Sequence, residues 1–233
     1  MTTSESTAER IVTVLRRRIT DGELSPGTRL SEERLGGQLG VSRNTLREAF
    51  RLLTHDGLLV HRRHRGVFVA ELDEDDLTDL YRLRRTIECG VVRSLAGLDA
   101  ERLRPARAAT EEAAAAAARR DWAEVGTANM RFHQCLVELG GSRRISEVTR
   151  RLLAELRLVF HASANDQLLY GAYVDRNRAL LHLLAAGKAE QAAVELEHYL
   201  ADSEQQLLAV YCLQRDAHRA QETNRIGRGV PCR

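Results

Sequence analysis

Apolar residues in the first seventy positions recur with two different periods, and the change of period separates helices from strands. Ile11, Val14, Leu15 and Ile19 repeat at helical spacing and stop at Asp21-Gly22. Ser25-Pro26-Gly27 makes a turn, and Ser31 is placed to cap a short helix whose inward residues are Leu35 and Leu39. Gly40 breaks that helix. Ser42 caps a third one, with Val41 and Leu46 at the two positions of a hydrophobic staple, and Asp56-Gly57 ends it. Two short β-prone runs follow, Leu58-Leu59-Val60 and Val67-Phe68-Val69, around the basic turn Arg62-Arg63-His64-Arg65-Gly66.

From Leu77 onward the helical period dominates. The breaks at Gly97, Asp121, Gly140-Gly141, Gly171 and Gly187 divide it into helices near 75–97, 100–119, 121–139, 143–161, 175–186 and 189–214. The alanine run Ala113 to Ala118 suits a close-packed helix face. The pattern predicts a mostly α chain. A winged helix-turn-helix of three helices plus a two-stranded hairpin occupies 8–70, and an acidic linker 71–76. An all-helical bundle of about six helices fills 77–215, and a polar, flexible tail 216–233.

Composition adds little to this picture and charge adds more. With 233 residues, 43% hydrophobic and 29% charged, the chain suits two modest folded domains. No apolar run approaches the roughly 18 residues that span a bilayer, and Met1 to Glu9 is polar. Cys89, Cys135, Cys212 and Cys232 lack CxxC spacing and read as reduced thiols, so a cytoplasmic protein with no membrane partner is expected. The net charge is +2, but residues 1–70 carry +4 and residues 71–233 carry −2. A basic patch on a near-neutral chain is what phosphate contact requires.

A helical wheel places that patch. Leu46, Ala49, Phe50 and Leu53 fall within one arc of about 100°, the width of a core-facing stripe. Asn44, Arg47, Glu48 and Arg51 lie opposite, with Arg43 in the first turn. Such a front suits the major groove, where Arg bonds guanine O6 and N7 and Asn bonds adenine N6 and N7. Ser42, Thr45 and the free helix N–H groups suit phosphate oxygens, and the Arg-rich hairpin reaches out as a wing. The alternative is a solvated arginine face on a small helical domain. The order of turn, staple and basic hairpin argues against it.

These residues carry a resemblance. Gly22 to Glu32, then Gly40-Val41-Ser42-Arg43-Asn44-Thr45-Leu46-Arg47-Glu48-Ala49-Phe50, Asp56-Gly57-Leu58 and Gly66-Val67-Phe68-Val69 resemble the DNA-binding domain of the GntR family of bacterial regulators. The resemblance implies that Arg43, Asn44, Thr45 and Arg47, with His64, Arg65 and Gly66 on the wing, contact double-stranded operator DNA, and the basic turn adds Arg63 as a candidate. Glu33 stands where family members often carry Arg, which leaves Arg34 as that helix's candidate contact.

The remainder is similar to the helical FCD effector domain of the FadR-type branch. The markers are Leu83-Arg84-Arg85-Thr86-Ile87-Glu88, Asn129-Met130-Arg131-Phe132-His133, Arg178-Ala179-Leu180 and Ala186 to Ala192 with Tyr199-Leu200. Many such domains hold a divalent metal on an Asp, a His four residues later and two more His. Here the aligned set is Asn129, His133, Asn177 and Tyr199, which offers one good nitrogen ligand and no carboxylate. No cofactor is therefore expected, a metal held through His133 being the lesser alternative. The four side chains read either as a polar pocket that bonds an organic effector or as satisfied core residues. Arg84 reads as a clamp for an effector carboxylate or as an i,i+4 partner of Glu88.

The resulting expectation is a homodimeric regulator, a repressor by resemblance, whose DNA affinity responds to a small carboxylated metabolite. It is no enzyme, since neither a carboxylate pair nor a nucleophile–base set is evident. Two rivals stay open at this point, a helical enzyme with a DNA-targeting head and an architectural DNA-binding protein without a ligand.

Overall fold

A computed structural model of the chain describes residues 6–20, 22–160 and 173–227. The N-terminal head contains α1 (Thr7–Thr20), β1 (Arg29–Leu30), α2 (Glu32–Leu39), α3 (Arg43–His55), β2 (Leu59–Arg62) and β3 (Gly66–Val69). Local chemistry sets the boundaries of α2 and α3. The Ser31 Oγ accepts from the Arg34 N–H and the Ser42 Oγ from the Thr45 N–H, each at 3.2 Å. Between the two helices Gly40 takes φ 64°, a left-handed C-cap that reverses the chain within three residues.

The sheet differs from the expected hairpin by one strand. Its order is β1-β3-β2, all antiparallel, with Leu30 opposite Val67 and Leu59 opposite Val69. Two residues are too few to show a period, so β1 leaves no sequence signal. Leu15, Leu46, Leu53 and Leu58 are fully enclosed beneath the sheet and helices. Burying each contributes roughly 1.5–3 kcal/mol.

The bundle follows: α4 (Glu74–Arg84), a π turn (Arg85–Cys89), α5 (Gly90–Ser94), α6 (Ala100–Ala118), α7 (Trp122–Glu138), α8 (Arg143–Phe160), α9 (Tyr173–Ala185) and α10 (Ala189–Gly227). Three boundaries depart from the sequence reading. The linker is shorter than 71–76, because Asp73 and Asp76 form a reciprocal capping box that starts α4 at Glu74. The expected helix 75–97 is interrupted by the π turn and ends at Ser94. Helix α10 continues into the stretch read as a tail, for no Gly or Pro interrupts Ala189 to Ile226. The expected helix end and break at His161 and Gly171, together with 228–233, lie outside the described residues.

Helices α6 and α7 form the closest pair in the bundle. Ala106, Ala109, Ala113 and Ala116 are buried on α6 and Val125 and Ala128 on α7, short side chains that suit a close approach of the two backbones. Helix α8 joins the two halves of the molecule. Its Leu152, Leu153 and Leu156 belong to the bundle core, whereas Leu158 is buried in the core of the head.

Candidate functional site

The head presents its polar front as the wheel requires. Leu46, Ala49, Phe50 and Leu53 are buried, while Ser42, Arg43, Asn44, Arg47 and Arg51 are exposed and Thr45 is half-buried. The Ser42 and Thr45 hydroxyls lie 2.9 Å apart at the helix start, beside the N–H groups that attract anions. Between α3 and the sheet lies an open groove of about 620 Å³ lined by Asn44, Arg47, Arg51 and His61. Arg47 is not idle there. Its Nε donates to both carboxylate oxygens of Glu32 at 3.0 and 2.9 Å, a pair that holds the guanidinium at the groove wall. Arg34 is exposed on α2, on a separate shallow hollow that it shares with Arg18 and Gln38.

At the wing, Arg63, His64 and Arg65 form the exposed tip between β2 and β3. His64 has φ 60° and Gly66 φ 101°, so the turn closes through two left-handed residues. The guanidinium carbons of Arg62 and Arg65 lie 4.7 and 5.8 Å from the centre of the Phe68 ring, and Arg62 donates to Glu71 at 2.7 Å. Stacking on one ring and pairing with one carboxylate order a tip that charge repulsion would spread. The wheel had already put Arg51 on this front, whereas the contributions of His61 and Glu32 were missed from the sequence. Glu32 could have been found by extending the wheel to α2, whereas His61 depends on how the sheet folds back.

The second site lies inside the bundle, where Asn129 and His133 (α7), Asn177 (α9) and Tyr199 (α10) converge on residues from α4 and the π turn. The Asn177 Nδ2 donates to Asn129 Oδ1 at 2.8 Å, and the Tyr199 hydroxyl lies 3.2 Å from that oxygen and 3.1 Å from His133 Nε2. His133 Nδ1 is 2.7 Å from Glu88 Oε2, and Arg84 Nε donates to Glu88 Oε1 at 2.7 Å. All of these groups are buried. Arg84 therefore takes the i,i+4 partner, and Glu88, read from the sequence only as that partner, is the junction between Arg84 and His133.

Protonation follows from burial and pairing. Burial alone raises the Glu88 pKa, but Arg84 and His133 outweigh it and hold the carboxyl down at about 2. Burial pushes His133 below its usual value against the opposing pull of Glu88. A neutral imidazole beside an ionised carboxylate donates from Nδ1, which leaves Nε2 as an acceptor. The Tyr199 hydroxyl has one hydrogen and two acceptors in reach. Asn129 Oδ1 has a second lone pair beside the one that takes the Asn177 amide, so it shares the Tyr199 hydroxyl with His133 Nε2. Burial also keeps the Tyr199 phenol protonated, its pKa raised well above 10.0. Two buried polar atoms of the cluster remain without a partner, Arg84 Nη2 and Asn177 Oδ1.

These donors do not fit a divalent metal. Both nitrogens of His133 are engaged, Asn129 Oδ1 already takes the Asn177 amide, and the phenol is neutral. Among the described residues, no group of three or more His, Cys, Asp or Glu could hold an ion. Nor is a redox role apparent for Cys89, whose thiol burial pushes up to about 12.

A basic reading head on a helical bundle with a buried polar core defines a class, the DNA-binding regulators that carry a sensor domain. Residues 7–69 match "Bacterial regulatory proteins, gntR family" and residues 79–202 match the FCD domain. A "Probable D-xylose utilization operon transcriptional repressor" of Paenarthrobacter nicotinovorans is 31% identical over 187 residues, 78% of this chain and 80% of its own. The crystal structure of a GntR transcriptional regulator from Rhodococcus sp. RHA1 is 40% identical with a TM-score of 0.80, covering 88% of this chain and 98% of that one. Escherichia coli McbR/YncC, at 22% identity and TM-score 0.75, shares the fold over 90% of this chain and 99% of its own. The chain belongs to the GntR family and is a transcription regulator with an FCD effector-binding domain, not an enzyme. No helix among the described residues is long and apolar enough to cross a membrane.

Proposed function

We propose that the chain is a cytoplasmic repressor that binds a pseudo-palindromic operator as a homodimer and releases it when a small carboxylated metabolite enters the bundle. One observation carries the sensor half of this reading: four helices and the π turn bring Arg84, Glu88, Asn129, His133, Asn177 and Tyr199 into one buried hydrogen-bonded set with a donor and an acceptor unmet. Unmet buried polar atoms cost about 1–3 kcal/mol each and call for a partner. A carboxylate oxygen suits Arg84 Nη2 and a hydroxyl suits Asn177 Oδ1, so hydroxy acids and sugar acids match the pair. Arg84 thus clamps the effector with the nitrogen that Glu88 leaves over.

In the head, Arg43, Asn44 and Arg47 reach base edges, Ser42, Thr45 and Arg34 reach phosphates, and Arg63, His64, Arg65 and Gly66 follow an adjacent groove or backbone. Two heads related by a two-fold axis place half-sites about 10 bp apart. The test is selection of duplexes from a random library by the full chain, beside Arg43→Ala/Arg47→Ala. The enriched duplex is then titrated in the presence of hydroxy acids, sugar acids and neutral sugars. The expected result is a palindrome that the double variant loses and that an acid, but not its neutral counterpart, releases. Sequence-blind binding by both proteins would refute the reading-helix assignment, and indifference to every acid would refute the carboxylate effector.

A further inference from the structure

A second set of arginines surrounds an open hollow. A cleft of about 400 Å³ opens between α1 of the head and helices α7 and α8 of the bundle. Arg16, Arg17, Arg131, Arg150 and Arg157 line it, and among the described residues no Asp or Glu does. Its floor is apolar, formed by Met130, Leu153 and Ala154. Carboxylates that pair with three of these arginines, Asp56 with Arg16 and Arg150, Glu147 with Arg150 and Glu112 with Arg131, lie outside the lining. The Arg16 Nε is buried with no acceptor, and so is the Gln134 Oε1 on the same wall with no donor.

We infer that this cleft is a second ligand site, taking an amphipathic organic anion whose apolar body lies on Met130, Leu153 and Ala154 while its acidic group meets the guanidiniums. Charge selects the class of ligand, since a wall of guanidiniums without a lining carboxylate attracts anions and repels cations. The floor selects within it, because a small inorganic anion leaves the apolar surface wet. The volume falls in the range that holds a metabolite-sized molecule. The site is separate from the cluster around His133 and touches both halves of the molecule. An occupant therefore binds one pose of the head better than another and shifts operator affinity by that difference.

The probe is 8-anilinonaphthalene-1-sulfonate, an aromatic monoanion that brightens when its rings leave water, titrated into the full-length protein. Arg17→Gln/Arg131→Gln is the test variant, as both side chains are exposed and neither holds a core. Wild type is expected to bind one equivalent saturably. The variant is expected to bind at least tenfold more weakly with an unchanged thermal midpoint, and decanoate to displace the probe where decanol does not. A neutral relative, N-phenyl-1-naphthylamine, is expected to bind at least tenfold more weakly than the sulfonate. Equal binding by the variant would place the probe elsewhere and overturn the inference. So would equal binding of the neutral dye, or an unsaturable signal.

Discussion

A carboxylate with no exposure, such as Glu88, is stable inside a bundle only while its counter-charges stay in place. Glu88→Gln strips the charge and leaves Arg84 buried and uncompensated, so unfolding in urea is expected to show a loss of roughly 3–5 kcal/mol. Arg84→Met/Glu88→Leu removes both charges and is expected to lose less than the single change. A larger loss in the double variant would mean that the pair stabilises the fold outright. Acid acts on the same residues. The native pKa of His133 lies below 6.5 and that of Glu88 near 2 against 4.5, so in both cases the unfolded chain binds the proton first. Stability is full above about pH 6.5, falls as His133 begins to charge in the unfolded chain, and falls again from pH 4.5 towards 2. Asn129, His133, Asn177 and Tyr199 were legible from a resemblance of spacing, and Arg84–Glu88 from i,i+4 geometry. That Glu88 reaches His133, 45 residues away, was not, because it depends on how the π turn packs against α7.

Among the elements, helix ends were the most legible. Ser31, Gly40 and Ser42 cap as their types predict, since a cap is decided within four residues. The π turn at Arg85–Cys89 was invisible, because it inserts a residue into a helix whose composition is ordinary. The turn after α3 shows how a local signal acquires a distant partner. Gly57 has φ 76°, and a Cβ there would run into the side chain of Glu155 on α8. Its neighbour Asp56 accepts from Arg16 of α1 and, at 3.0 Å, from Arg150 of α8. The sequence showed Asp56-Gly57 as a helix stop and a family motif, with no sign of a partner on α8. Gly57→Ala adds left-handed strain of about 1 kcal/mol to the displacement of Glu155. The thermal midpoint should fall by several degrees, and amide exchange should quicken at both α3–β2 and α8. Faster exchange confined to the head would mean that α8 does not seat on this turn.

At the scale of the molecule, α8 is the piece that makes one body of two domains. On the bundle side Arg157 donates to the Ala123 carbonyl at 2.8 Å and the Thr127 hydroxyl at 2.9 Å, on the same helix as Asn129 and N-terminal to it. On the head side Leu158 is buried with Leu15 and Leu53, and Arg150 reaches Asp56. Helix α8 thus holds contacts to α7 beside the buried cluster and to Asp56 at the end of the reading helix. Whether the two ends are energetically coupled is a separate quantity that calorimetry measures. Leu158→Ala removes a buried side chain from the head core while leaving every polar contact of α8 in place, at roughly 2–5 kcal/mol. If Leu158 couples the domains, the scan of the variant separates into two transitions, with the head melting first and the bundle near its original midpoint. A single transition shifted to lower temperature would place the coupling in the ion pairs at Asp56 instead, and Arg150→Gln would then produce the separation.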